Sequence, residues 1–223
     1  MLGIWTGAAG AGEIWAFDWG NSGEQTDGPY DWHAVRDNNL YSAGTQVVLP
    51  DAVEAGFHGG MHKDRGTGNL PGLLGGVDYT NLFRDAVVAQ GISKPGTLMF
   101  EVKNLPPAEY YVTLLGGDTA WGTFSYDVNV NAIIQEHPGY PDDAASDITE
   151  LFDPDVALTW DLTGDDMIGP GDPLQIIVAD GGDSPRLSGV FIEQVPPPVE
   201  PIPEPAGLSL LGLALLALRR RRS

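Results

Sequence analysis

From Phe124 to Val130 apolar and polar residues alternate without a break: Phe124, Tyr126, Val128 and Val130 against Ser125, Asp127 and Asn129. A period of two suits a strand with one buried face and cannot give a helix an apolar stripe, which needs a period near 3.6. The same period recurs in Leu98, Phe100 and Val102 against Thr97, Met99 and Glu101. Asn131-Ala132 reads as a tight turn into Ile133–His137, making a hairpin. Tyr110–Leu115 is largely apolar and reads as a strand buried on both faces. Glu13–Trp19, Thr45–Leu49, Asp85–Gln90, Val156–Asp161, Leu174–Ala179 and Ser188–Val195 complete the strand set. Thirty glycines and 18 prolines supply the turns between them. With no convincing amphipathic helix in the body, the expected class is all-β, an antiparallel β-sandwich. Trp32–Tyr41 and His137–Asp155 are expected to be loops. So is Ala55–Gly76, whose eight glycines leave no room for an element.

Charge narrows the partners. The chain of 223 residues carries 31 acidic and 11 basic residues, a net charge of −20. Without the arginines Arg219 to Arg222, 31 acidic residues face 7 basic ones, a net charge of −24. Nucleic acid is excluded as a partner, because phosphate binding needs the opposite sign. There is no cysteine, so no disulfide can staple the fold. The expected division is a β-sandwich over 13–195, a proline-rich linker over 196–202, and a terminal segment over 203–223. Residues 1–12 read as the remnant of a signal peptide or as a flexible Gly/Ala terminus.

The terminal segment has three parts in a fixed order. Pro203-Glu204-Pro205 is stiff, Ala206–Leu218 is apolar, and Arg219, Arg220, Arg221 and Arg222 form a basic stop. The apolar run has 13 residues. As a helix it would reach about 20 Å, short of the roughly 30 Å of a hydrocarbon core. Such a run is a marginal anchor, with the arginines on the cytoplasmic side. This tail resembles the PEP-CTERM sorting signal. The resemblance implies export, holding at the inner membrane, at least transiently, by one short C-terminal hydrophobic helix, and processing by an exosortase-type enzyme. The final location would be the envelope or the extracellular matrix.

The body also carries a resemblance. Its residues are Phe17-Asp18-Trp19-Gly20, Arg84-Asp85, Phe100-Glu101-Val102, Leu105-Pro106-Pro107-Ala108-Glu109-Tyr110-Tyr111-Val112-Thr113, Gly117-Asp118 and Leu187–Gln194. In that order they are similar to galactose-binding-like jelly rolls, including accessory domains of bacterial polysaccharide-degrading enzymes. The resemblance implies a carbohydrate-associated sandwich. Pyranose faces stack on exposed rings, and amides and carboxylates read the hydroxyls. Tyr30, Trp32, Tyr41 and Trp121 lie in turn-rich stretches, with Asp31, Asn38, Asn39 and Asp118 close in sequence. The competing role for these rings is to cap the ends of the core.

The same likeness implies a structural calcium. Asp161, Asp165, Asp166 and Asp172, or Asp142, Asp143 and Asp147, could supply its oxygens, although neither set has EF-hand spacing. His58 and His62 with Asp64 would form a zinc half-site on a helix, but Gly59 and Gly60 between them argue for a loop. Gly182-Asp183-Ser184 resembles an esterase nucleophile block. It is followed by one strand and the tail, and His137, the last histidine, precedes it. The expected function is therefore that of an exported, non-catalytic, carbohydrate-associated sandwich in the envelope or among exopolysaccharide. The alternatives are a structural surface or matrix protein without a specific ligand, and a polysaccharide hydrolase using the acidic loops.

Overall fold

The computed structural model describes residues 12–19, 25–36, 38–59, 61–64, 73–88, 97–116, 126–137, 151–152, 157–179 and 186–197. Gly12–Val195 forms one compact unit. In chain order its strands are β1 Ile14–Asp18, β2 Trp32–Ala34, β3 Val47–Val48, β4 Glu54–Gly59, β5 Met61–Asp64, β6 Leu73–Leu74, β7 Val77–Asp78 and β8 Asp85–Val88. They continue with β9 Thr97–Lys103, β10 Tyr110–Gly116, β11 Tyr126–Val130, β12 Ile133–His137, β13 Ala157–Leu162, β14 Leu174–Ala179 and β15 Arg186–Gln194. One short helix, Thr80–Arg84, stands between β7 and β8. Among the described residues no helix is long and apolar enough to cross a membrane.

Two sheets build the sandwich. One runs β13-β10-β15-β1-β2, with β8 and β5 added beside β15, and the other runs β12-β11-β14-β9-β4-β3. Four strands of each, β13-β10-β15-β1 and β12-β11-β14-β9, define the topology. The chain enters at β1 and crosses to β9, then to β10, then to the β11–β12 hairpin, β13, β14 and finally β15. Every step but the hairpin changes sheet, which is the double Greek key of a jelly roll. Strands β2 to β8 form a single insertion between the first and second strands of that pattern. The pairings are antiparallel except β1 with β2, which is parallel.

The alternation explains the layers. Leu98, Phe100 and Val102 of β9 and Tyr126, Val128 and Val130 of β11 point inward. They meet Trp15, Phe17 and Trp19, Tyr110, Val112 and Leu114, and Val190 and Ile192 of the other sheet. Trp19, Phe57 and Phe100 form the aromatic centre, with Trp19 and Phe100 ring centroids 4.7 Å apart. Asn131 and Ala132 adopt φ of 46° and 72°. A two-residue type I′ turn requires left-handed backbone at both positions, and its twist matches the flanking strands. The Asn131 amide side chain then ties this turn to β14, its Oδ1 accepting from Gln175 N at 2.7 Å.

Two stretches expected to be loops contain elements. Ala55–Gly76 holds most of β4 and all of β5 and β6, and Trp32 opens β2. The glycines do not break β4 because one of them is needed there. A Cβ on Gly56 would lie 2.9 Å from the Asn39 carbonyl oxygen, so the strand can pass this close only without a side chain. His58 and His62 consequently lie on successive strands rather than on a helix or in a loop. The N-terminal residues 1–11, the tail 203–223 with its expected helix, and Gly182-Asp183-Ser184 lie outside the described residues.

Candidate functional site: the outer face of the seven-stranded sheet

Alternation that buries one side of β13, β10, β15 and β1 turns the other side outward. Register then lines up the outward residues in rows. Asp161, Tyr111, Glu193 and Ile14 stand side by side in the first row. Thr159, Thr113, Phe191, Ala16 and Trp32 make the second, and Ala157, Leu115, Gly189, Asp18 and Ala34 the third. The first row is open: Tyr111 is 40% and Ile14 44% exposed, and Asp161 and Glu193 are exposed beside them. In the second row Thr113 and Thr159 share a hydrogen bond at 2.8 Å. The third row lies under an apolar cover built by Leu74, Tyr79, Leu82, Phe83 and Leu151. The face is therefore a terrace, open at one end and roofed at the other.

An aromatic step separates the two levels. Ala16 stands between Phe191 and Trp32 in register and leaves space above its methyl group. The Tyr30 ring packs there, its centroid 4.7 Å from Phe191 and 6.4 Å from Trp32. Phe152 closes on both, 6.1 Å from Tyr30 and 5.0 Å from Phe191. Behind the step a crevice of about 280 Å³ is lined by Pro29, Tyr30, Leu74, Val77, Tyr79 and Phe152, among others. Among the described residues no charged side chain lines it, and the polar side-chain groups are the two tyrosine hydroxyls. Burial, and then the Glu193 carboxylate, push the Tyr30 hydroxyl upward. Burial, and then Tyr30, do the same for Tyr79. Both phenols therefore stay protonated and keep a proton to donate.

Gln25 holds the cover to the sheet. It is 2% exposed, and its backbone N–H donates to Asp18 Oδ2 at 2.9 Å. Its Nε2 donates to the carbonyls of Asp27 at 3.1 Å and Asp78 at 2.7 Å. Its Oε1 accepts from Leu82 N at 3.2 Å. One side chain thus joins the segment carrying Tyr30, the β6–β7 ribbon and the short helix. Nothing in the sequence singles out Gln25, because its partners are backbone groups up to 57 positions away.

The expected site residues divide into separate groups. Tyr30 stands at the step. Trp32 is 2% exposed and packs under it, so its ring offers no face to a ligand; it is a core residue, as the competing role had it. Asn38 and Tyr41 flank the other sheet, on the segment that Leu40 bridges to Phe57 of β4. Asn38 is exposed in a turn, and its carbonyl accepts from Thr45 Oγ1. Tyr41 lies across β4 where Gly56 lacks a side chain, its hydroxyl shared between the carbonyls of Glu54 at 3.1 Å and Glu101 at 3.3 Å. Asp118 and Trp121 lie outside the described residues. Asp165 and Asp166 sit in the turn Gly164–Asp166 and Asp172 in the next one, whereas Asp161 belongs to the first row. Among the described residues no three metal-ligating side chains converge.

Around Tyr41 is a second polar group. Glu101 is 5% exposed. Its Oε2 accepts from Gln175 Nε2 at 2.8 Å, and its Oε1 from Lys103 Nζ at 2.9 Å and His58 Nε2 at 3.3 Å. Tyr41 stacks on His58 at 5.1 Å, and Lys103 Nζ lies 4.0 Å from the Tyr41 ring centre. Burial works against the Glu101 charge, but the hydrogen bonds from Gln175, Lys103 and His58 outweigh it and hold the carboxyl below its ordinary value of 4.5. With both carboxylate oxygens already accepting and the side chain buried, this group braces the sheet.

Comparison with known proteins finds no matching family model and no matching curated protein. Among solved structures, an exo-β-1,3-galactanase from Phanerochaete chrysosporium in complex with β-1,3-galactotriose aligns at 16% identity and a TM-score of 0.27. The same enzyme with galactose aligns at 13% identity and a TM-score of 0.26. Both alignments cover 60% of this chain and 27% of the galactanase. Likeness at that level carries no argument about reaction or ligand.

Proposed function

We propose that this chain is an exported, non-catalytic jelly-roll protein that binds carbohydrate on the outer face of its seven-stranded sheet. Its PEP-CTERM-like tail would direct it through the inner membrane to an exosortase-type enzyme. The observation that carries the binding reading is the terrace. An exposed tyrosine stands between two carboxylates on a flat sheet and leads to an aromatic step with a crevice behind it. A ring face gives a pyranose its stacking surface, and the carboxylates accept from its hydroxyls. The apolar crevice would take a less polar part of the sugar, with the Tyr30 and Tyr79 hydroxyls at its wall.

The test is binding of purified chain to an array of oligosaccharides, repeated with Tyr111→Ala and Tyr30→Ala. Losing one stacking ring at the centre of a small site should weaken binding at least tenfold, about 1.4 kcal/mol. Unchanged binding by both variants would remove the terrace as the site. Tail processing is tested separately. Replacing Arg219–Arg222 with alanines should leave the chain unprocessed in a host that has an exosortase.

A further inference from the structure

The first row gives the ligand a sign. Tyr111 is opposite Asp161 on one side and Glu193 on the other. Neighbouring side chains across a sheet are about 5 Å apart at Cβ, so both carboxylates reach the space over the ring. Among the described residues no hydrogen bond or ion pair engages either of them. No cation stands in the row, which ends at Ile14. A uronate placed here would face these like charges, within an acidic body. An ammonium group would find an aromatic face and two exposed carboxylates.

We infer that the terrace selects glycans bearing free amino groups over their N-acetylated counterparts and rejects glycans built of uronic acids. This rests on the carbohydrate-binding reading and specifies its ligand class. Each exposed ion pair contributes modestly, as does an exposed cation over a ring. Together they should favour the amino form by about tenfold.

The experiment is titration of the full chain with tetramers of glucosamine, N-acetylglucosamine and galacturonic acid, at low and at moderate salt. The expected order is glucosamine about tenfold above N-acetylglucosamine, no measurable binding of galacturonate, and a preference that shrinks with salt. In the Asp161→Asn, Glu193→Gln double variant, whose amide oxygens can still accept from sugar hydroxyls, the preference should fall to about twofold, with glucosamine binding weakened far more than N-acetylglucosamine binding. The chain has 31 acidic residues, so diffuse attraction of a polycation would barely notice the loss of two. A preference that survives the double variant therefore overturns the inference, as does equal binding of the amino and acetylated tetramers. Failure of all three tetramers and of a wider glycan array to bind would instead overturn the carbohydrate reading beneath it.

Discussion

Glu101→Gln removes one charge from a nearly buried site without changing its size. The Gln175 bond loses its charge assistance, and a neutral amide in its place can no longer serve Gln175, Lys103 and His58 together. Hydrogen bonds to a charged group contribute about 1.5–3 kcal/mol, and neutral ones about half as much, so the Gln175 bond accounts for roughly 1 kcal/mol. The Lys103 and His58 side chains are 42% and 37% exposed. Solvent therefore screens their share to about 0.5 kcal/mol each. The expected destabilisation is about 2 kcal/mol at neutral pH. It should depend on pH with a definite sign. The folded carboxyl lies below its ordinary 4.5. Its contribution is thus fully present above 4.5 and is lost as pH falls through the depressed value. Urea unfolding followed by tryptophan fluorescence, for wild type and variant in parallel, gives the difference at each pH. It should be near 2 kcal/mol at neutrality and vanish in strong acid. A difference that is absent at neutral pH, or that persists after Glu101 is protonated, would refute this account.

Other outcomes follow from the outer face. Gly189→Ala would place a Cβ 2.5 Å from the Phe17 carbonyl oxygen; prising β1 from β15 should cost about 2–3 kcal/mol, read as a lower urea midpoint. Ala16→Val should fill the space beneath Tyr30 at a cost of about 1–2 kcal/mol and weaken oligosaccharide binding more than it weakens the fold. Gln25→Ala should release the cover while the sandwich stays folded, speeding amide exchange at Leu82 far more than at Val112. Tyr30→Phe should leave stability within about 0.5 kcal/mol of wild type, with any loss confined to binding.

The sandwich was legible because its strands announce themselves locally. Alternation at Tyr126–Val130 and Thr97–Lys103 states which face is buried, and Asn131-Ala132 states how the hairpin turns. The insertion was not legible, because a glycine count cannot reveal that β4 pairs with β9 and passes Asn39 closely at Gly56. Of the expected sugar-binding rings, Tyr30 reached the step and Trp32 went beneath it. Both stand in a turn-rich stretch, and only the register of β1 with β2 distinguishes them. Tyr111 was hidden for a related reason. Tyr110–Leu115 looks apolar on both faces, and the opening of the outer face at its first residues depends on where the cover stops. Asp161 was read with its sequence neighbours Asp165 and Asp166, whereas its pairing places it beside Tyr111.

Most of the roof over the terrace comes from one continuous stretch, residues 25–88, inserted between two strands of the jelly roll. The floor comes from β13, β10, β15 and β1, whose inward residues also fill the core. Floor and roof therefore answer to different constraints. A substitution in the floor must satisfy the packing of two sheets, while the roof can vary as long as Gln25 keeps its anchors. A relative with the same sandwich and a different 25–88 segment would keep the charged ledge and set a different crevice behind it.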